Sequence, residues 1–261
     1  MNLRSSLCFP FAFLSVTSAS FAAITYDGFD YTAGTTLEAA ADWAPLNSGT
    51  APTVVSGNLS VAGLQASSGN MVSFPGGNFQ EAIGSLDSFT AGTVYYSFAF
   101  QLSSAPTSAT YSFALATGNT NYGAPVFLQA SGSGFQIGLA NRSSGSTVSY
   151  DSTEFALNTT IFLVGSYTFN SGTGDDVSQL WINPSNSFFG DETAPSATLT
   201  ASGGNDLAGI TQFLLRGASG SPAGNLDELR VGTSWAAVTV PEPATALLGA
   251  FGLIALIRRR R

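Results

Sequence analysis

Along most of the chain, apolar and polar residues alternate with a period of two. In the segment 93–102, the apolar residues on one side are Val94, Tyr96, Phe98, Phe100 and Leu102. Alternation of this kind is typical of strands in an antiparallel sheet that packs on a core. We therefore predict that this segment is a strand with one buried face and one solvated face.

Later segments repeat the pattern, with inward positions predicted at Tyr111, Phe113 and Leu115 and at Phe135, Ile137 and Leu139. Gly, Ser and Asn clusters separate the strands at roughly 10–15 residues, the spacing of turns in a sandwich. The apolar run 160–164 indicates a strand buried on both faces, and only Thr36–Trp43 has a helical pattern. The sequence therefore predicts an all-β, antiparallel two-sheet jelly-roll sandwich.

The chain contains no histidine and no lysine, and its single cysteine is Cys8. The absence of histidine excludes His-based triads, His metal sites and imidazole acid–base catalysis. Without lysine, Schiff-base chemistry is also excluded. The reaction types that remain are those of carboxylate pairs and of calcium.

The body of the chain, residues 23–240, is strongly acidic. It holds three arginines against 15 acidic residues, a net charge of −12. Such a surface does not attract nucleic acid or anionic lipid. Because Cys8 lies before the body, the body has no disulfide, and its stability has to come from burial.

Residues 1–22 have the composition of a secretory signal peptide. Arg4 supplies a positive start, Leu7–Val16 an apolar stretch, and Ser20-Phe21-Ala22 the small residues that a signal peptidase requires. We expect cleavage after Ala22 and export of the body. The alternative, a buried N-terminal helix, is disfavoured by the short length and the flanking residues.

The C terminus combines three features: Pro241-Glu242-Pro243, an apolar run at 244–257, and Arg258, Arg259, Arg260 and Arg261. A helix of this run spans about 21 Å, short of the roughly 30 Å hydrocarbon core. The arginine block favours the cytoplasmic side of a membrane. We therefore predict a short transmembrane helix that anchors the exported body only temporarily.

These C-terminal features resemble the PEP-CTERM sorting signal of Gram-negative bacteria that make extracellular polysaccharide. The resemblance implies processing near the tripeptide by a membrane-embedded exosortase, then release to the cell surface or matrix. Pro241 and Pro243 fix an extended backbone and hold Glu242 outside the helix, accessible to an enzyme. The alternative is an ordinary single-pass anchor after a proline-rich linker.

Several body segments resemble concanavalin A-like (laminin G-type) jelly-roll domains. The similar segments are Tyr26–Leu37, Ser56–Ser60, Tyr167–Pro184 and Asn225–Trp235. The resemblance implies two stacked antiparallel sheets, with one domain over residues 23–238 and the sorting signal over 239–261. Members of this group include lectins, adhesion modules and glycosidases, so the fold does not fix the function.

No catalytic residue is predicted. Retaining glycosidases of this group carry an E-x-D-x-x-E string, which the chain lacks. Asp227 and Glu228 are neighbours on a predicted strand, so their side chains are expected on opposite faces. The expected role of one of them is an ion pair with Arg230 or a cap at a turn.

Loop acids are the candidates for a cation site. Asp175 and Asp176 follow a glycine, and Asp206 and Asp191-Glu192 are further loop acids. Their oxygens suit calcium, although the spaced D-x-D-x-D pattern is missing. The alternative is a set of ordinary solvated turn acids, so calcium is only a possible cofactor.

Tryptophans are the candidates for carbohydrate contact. Trp43 and Trp235 lie near predicted strand ends, where an indole can face either a rim or the core. Trp181 lies within a predicted strand, and core packing is the better interpretation for it.

The leading hypothesis is a non-enzymatic surface or matrix protein that associates with secreted polysaccharide through a rim of aromatic and amide side chains. One alternative is calcium-dependent, lectin-like binding. The other is a glycan hydrolase or lyase with an unrecognised site.

Overall fold

The computed structural model describes residues 25–242. The predicted signal peptide, its cleavage position at Ala22, the apolar run and the arginine block lie outside these residues. The described part forms fifteen strands, one short helix, α1 (Trp235–Val238), and 3₁₀ turns at Leu37–Ala39 and Asn186–Phe188. No helix within this range has the length and apolarity needed to cross a membrane.

The strands are β1 (Tyr26–Asp27), β2 (Trp43–Pro45), β3 (Thr53–Val55), β4 (Met71–Phe74), β5 (Ala82–Phe89), β6 (Gly92–Leu102), β7 (Thr110–Thr117), β8 (Asn121–Ser131), β9 (Gly134–Leu139), β10 (Ser149–Tyr150), β11 (Ile161–Phe169), β12 (Val177–Ile182), β13 (Leu199–Ser202), β14 (Ile210–Leu215) and β15 (Gly224–Gly232).

These strands form two antiparallel sheets. The eight-stranded sheet has the order β13-β12-β11-β6-β15-β4-β3, with β1 also paired to β15. The seven-stranded sheet has the order β10-β9-β8-β7-β14-β5-β2. The last two strands within residues 25–242, β14 and β15, therefore lie in the interior of their sheets. The predicted all-β architecture of two antiparallel sheets is confirmed.

Aromatic rings fill the space between the sheets. The Phe98 ring lies 4.6 Å from that of Phe113 and 5.7 Å from that of Phe213, which belong to the opposite sheet. On its own strand it lies 6.1 Å from Tyr96 and 6.0 Å from Phe100. The five predicted inward residues of β6 are all fully buried, which confirms the alternation on this face.

The predicted solvated face of β6 is wrong. Ser97 and Ala99 are also fully buried, because later parts of the chain cover this side of the eight-stranded sheet. The Ser97 hydroxyl donates a 2.6 Å hydrogen bond to the carbonyl oxygen of Val238, at the end of α1. The period of two predicted the position of the strand. It could not predict the burial of the outer face, because the residues that cover this face lie far along the chain.

A second apolar cluster seals this outer face. Its buried members are Leu64, Phe162, Val164, Trp181, Phe189, Trp235 and Val238. The Trp181 and Trp235 rings lie 5.1 Å apart, and their indole N–H groups donate to the carbonyl oxygens of Pro195 and Phe188. The predicted two-sided burial at 160–164 is confirmed in β11, and so is the core position of Trp181.

The helical prediction for Thr36–Trp43 is wrong beyond one turn. Only Leu37–Ala39 is helical, as a 3₁₀ turn, and Trp43 begins β2. Trp43 pairs with Gly84 across the sheet, and its ring packs 6.0 Å from Phe29. Strand pairing and ring burial thus override a short local helical preference.

Candidate functional site

The outer face of the seven-stranded sheet differs from that of its partner. The apolar residues on it come from the sheet itself or directly follow β2: Ala114, Ala116, Tyr122 and Leu214, with partly buried Leu46, Ile83 and Tyr111 packed against them. The eight-stranded sheet, in contrast, is covered by loops and α1. The outer cluster of the seven-stranded sheet is therefore built mainly by the sheet's own strands, with Leu46, Ile83 and Tyr111 as its partly exposed members.

Aromatic rings stand at one side of this face. A bulge in β7 places Tyr111 opposite Phe127 and Phe113 opposite Val126, with Ser112 as the extra residue. Tyr111 consequently belongs to the outer face, where its ring lies 5.4 Å from Phe127 and 5.8 Å from Tyr122. The prediction that Tyr111 points inward is wrong because the bulge shifts the alternation by one residue. The predictions for Phe113 and Leu115 are confirmed.

Arg216 supplies a cation beside these rings. Its guanidinium carbon lies 4.0 Å from the centre of the Tyr111 ring, and its Nη1 donates to Thr110 Oγ1 over 3.1 Å. Its Nε lies 3.4 Å from Glu81 Oε1. Burial raises the pKa of the Glu81 carboxyl, and the Arg216 charge opposes that rise. Stacking and ion pairing together fix the guanidinium in one orientation.

Amide groups complete the polar lining. The Gln129 side chain donates a 2.9 Å hydrogen bond to Gln136 on the next strand. Among the described residues, the buried oxygens Ser112 Oγ and Gln212 Oε1 have no hydrogen-bond partner. Gln212 pairs with Ala116 on the neighbouring strand of the same sheet. The sheet thus combines flat aromatic surface, one held cation and the partly exposed amide groups of Gln129 and Gln136.

A cavity of about 440 Å³ opens at the loop end of the same sheet. Its walls are Thr117, Thr120, Asn121, Arg142, Ser144, Gly145, Gly204, Asn205, Asp206, Leu207 and Ala208. Arg142 Nε donates to the Tyr122 carbonyl oxygen over 2.9 Å, and Arg142 Nη1 donates to that of Asn205. Arg142 therefore connects the cavity wall to the strand that carries Tyr122.

Three carboxylates meet beside this cavity. Asp175, Asp176 and Asp206 each offer an oxygen, and the three oxygens lie within 4.8 Å of one another. Asp206 accepts hydrogen bonds from the backbone N–H groups of Gly174 and Asp176. Asp176 is buried and accepts a 2.6 Å hydrogen bond from the Tyr167 hydroxyl. Calcium prefers such oxygens, but these bonds also hold the loop without an ion.

The structure therefore unites Asp206 with the predicted pair Asp175 and Asp176. Asp191 and Glu192 follow the second 3₁₀ turn and are not members of this cluster. Sequence reasoning named all these loop acids but had no signal for which of them converge. The convergence comes from loops that are 30 residues apart, as in the hydrogen bond from Asp176 N to Asp206.

The two predicted carbohydrate-contacting tryptophans are buried. Trp43 is 4% exposed and Trp235 is 1% exposed. The indole N–H of Trp43 donates to Asp27 over 2.8 Å, and that of Trp235 donates to the Phe188 carbonyl oxygen. Neither ring offers a face to solvent in this structure, so a stacking role does not fit their positions.

Asp227 and Glu228 do not point to opposite faces, because β15 also has a bulge. Asp227 pairs with Ala99 and Arg230 with Ser97, and Glu228 takes a φ of 55°. Asp227 accepts from the backbone N–H of Leu59 over 2.8 Å, while Glu228 accepts from that of Ser68 over 3.0 Å. The expected ion pair is confirmed, with Glu228 Oε2 lying 3.1 Å from Arg230 Nη2. Both acids hold the 59–68 loop in place.

Stability is expected to decrease as pH rises from about 4 to about 7. Burial raises the pKa of Asp27 and Glu81 and raises that of Asp227 to about 7. The unfolded chain releases these protons near pH 4, so the folded state binds more protons within this window. Urea denaturation should give a free energy of unfolding roughly 1–3 kcal/mol higher at pH 5 than at pH 8.

Asp227→Asn should reduce this difference, because it removes the group with the most raised pKa. The matched control is Asp30→Asn, at an exposed position, which should leave the difference unchanged. Equal stability of the unmodified protein at pH 5 and pH 8 would contradict the prediction.

Residues 239–261 match the family model of the PEP-CTERM protein-sorting motif. This range coincides with the predicted tripeptide, apolar run and arginine block. The chain carries a PEP-CTERM sorting signal. Such a signal implies recognition by an exosortase, export, and transient anchoring through the C terminus. A comparison with curated proteins found no match.

Similar solved structures include three proteins of different kinds. An alginate lyase, Aly36B, is 12% identical, with 81% of this chain and 98% of that chain covered and a TM-score of 0.48. A glycosyl hydrolase family protein from Mycobacterium fortuitum is 11% identical, with 81% and 100% covered and a TM-score of 0.44. The globular domain of T. cruzi calreticulin is 10% identical, with 74% and 84% covered and a TM-score of 0.44. Likeness of this degree carries no functional information.

Two residues of the PEP-CTERM tripeptide lie within the described range. Pro241 and Glu242 are both exposed, as expected for residues that a processing enzyme recognises. Their backbone is nevertheless bonded to the body, since the Glu242 N–H donates to the Gly63 carbonyl oxygen over 3.1 Å. The third tripeptide residue, Pro243, and Arg258–Arg261 lie outside the described range.

Proposed function

We propose that the protein is a non-enzymatic surface or matrix protein, sorted by an exosortase, that binds extracellular polysaccharide. The sorting part rests on the PEP-CTERM match at residues 239–261. The binding part rests on one observation, the contrast between the two outer faces of the sandwich. One face is sealed by loops and α1, whereas the cluster on the other face is built mainly by the sheet's own side chains, and Tyr111 and Phe127 on that face are partly exposed.

The chemistry of the presented face suits a sugar polymer. Partly exposed Tyr111 and Phe127 offer flat apolar surfaces on which sugar rings can stack. Arg216 and the glutamine side chains offer donors and acceptors for hydroxyl groups.

A ring-deletion variant tests the binding site. We expect Phe127→Ala to weaken binding of the purified mature protein to the host's extracellular polysaccharide by about tenfold or more. Truncation of a central anchor residue in a binding surface costs about 2 kcal/mol or more, and about 1.4 kcal/mol corresponds to a factor of ten in affinity. The measurement is a titration on immobilised polysaccharide, accompanied by circular dichroism to verify folding.

The matched control is Phe188→Ala, which removes a 40% exposed ring from a loop on the sealed side. It should bind as tightly as the unmodified protein. Equal losses in the two variants, or no loss in Phe127→Ala, would place binding elsewhere. Release of reducing sugars or of unsaturated chain ends from the polysaccharide would instead identify the protein as a hydrolase or lyase.

Calcium-dependent binding is the second candidate, favoured by the convergence of Asp175, Asp176 and Asp206. If calcium organises the loops around the cavity, EDTA should abolish polysaccharide binding and calcium should restore it. Asp175→Asn is the sharpest variant, because this residue is exposed whereas Asp176 is buried. Binding that is unchanged by EDTA would eliminate this candidate and leave the first in place.

A further inference from the structure

We propose that residues 239–242 form a clasp that fastens the sorting signal to the folded body, and that processing requires this clasp to open. The inference rests on the proposed sorting function and adds to it a control step within the substrate.

The clasp is a short antiparallel pairing. Leu64 and Pro241 form an isolated bridge between two segments that belong to no strand. The Gln65 N–H donates to the Val240 carbonyl oxygen over 2.9 Å, and the Glu242 N–H donates to that of Gly63 over 3.1 Å. The central residue of the tripeptide therefore already uses its backbone donor within the protein.

The residue before this pairing is tied down as well. Thr239 is fully buried, and its hydroxyl donates to the Trp235 carbonyl oxygen over 2.9 Å. The Thr239 hydroxyl oxygen also accepts a 3.2 Å hydrogen bond from the Gly190 N–H. The chain thus continues from the sealed cluster under α1 directly into the clasp, without a flexible linker between them.

This arrangement exposes the side chains of the tripeptide but occupies one edge of its backbone. Enzymes that bind an extended peptide generally do so by pairing with its backbone N–H and C=O groups. An enzyme that takes Pro241-Glu242-Pro243 in this way has to displace the 63–65 segment. The clasp therefore competes with the enzyme for the same backbone groups.

A disulfide across the clasp tests the inference. Residues 65 and 240 lie opposite each other in the pairing, outside the tripeptide, and directly opposed residues have a separation that a disulfide can span. The body contains no native cysteine that would compete. We expect Gln65→Cys/Val240→Cys, expressed as the full chain in its host, to form the disulfide and to be processed at least about tenfold more slowly.

The two single cysteine variants are the matched controls and should be processed like the unmodified chain in a pulse-chase with mass spectrometry. Gln65→Pro, which removes the donor to Val240, should be processed faster than Gln65→Ala. Free thiols in the double variant would show that the two segments are not paired and would overturn the clasp. Normal processing of the disulfide form would overturn its controlling role. If the unmodified chain keeps its apolar run, the sorting proposal itself fails.

Discussion

Phe98→Ala is expected to lower the free energy of unfolding by about 3–5 kcal/mol. Phe98 is fully buried in β6, and its ring contacts rings from both sheets, the nearest being Phe113 at 4.6 Å. Alanine would leave a void where the sheets meet, and the surrounding rings cannot all move to fill it. Since whole domains are commonly stable by 5–15 kcal/mol, this single change should bring the protein close to unfolding.

Urea denaturation of the purified mature protein at constant pH measures the effect. The matched control is Phe188→Ala, in which the same ring is lost from a position that is 40% exposed. We expect the control to cost less than about 0.5 kcal/mol. A loss below about 1.5 kcal/mol for Phe98→Ala would mean that the space between the sheets is less tightly packed than the structure shows.

Deletion of residues 241–261 is expected to abolish both membrane association and processing. The deletion removes the tripeptide, the apolar run and the arginine block, which are the parts matched by the sorting-motif model. Mass spectrometry of protein from the membrane, the cell surface and the medium measures the outcome. The unmodified chain should yield a product that lacks the apolar run, and the truncated chain should never appear in the membrane fraction.

Replacing Pro241, Glu242 and Pro243 together with alanine separates the two effects. This variant keeps the apolar run and the arginine block, so it should remain in the membrane without being processed. A native mature product that still contains Leu247–Arg261 would contradict the sorting function and support a plain anchor.

The period of two in the sequence located β6, β7 and β9 and most of their inward residues. Phe98, Phe113 and Phe135 are inward because neighbouring positions on a strand alternate between faces. Tyr111 and Glu228 could not be placed in this way, because each lies at a bulge. A bulge becomes visible only when the register of two strands is known, and register depends on partners distant in the chain.

The candidate site was only partly predictable for the same reason. Asp175 and Asp176 are neighbours in the sequence, but Asp206 joins them only through contact between two loops. Alternation shows that Ser97 and Ala114 lie on outer faces, yet it cannot show which face later segments will cover. Loops and α1 cover the outer face of the eight-stranded sheet. The outer face of the seven-stranded sheet is therefore the candidate binding surface.

The interior positions of β14 and β15 have a consequence for the order of events in the cell. β14 lies between β5 and β7, and β15 lies between β4 and β6. Without them, these earlier strands would expose unpaired backbone edges. Neither sheet can be completed until nearly the whole body has emerged from a translocation channel. If the chain is exported as proposed, the body would therefore remain unfolded while it passes through the channel. The native state would form only on the far side of the membrane.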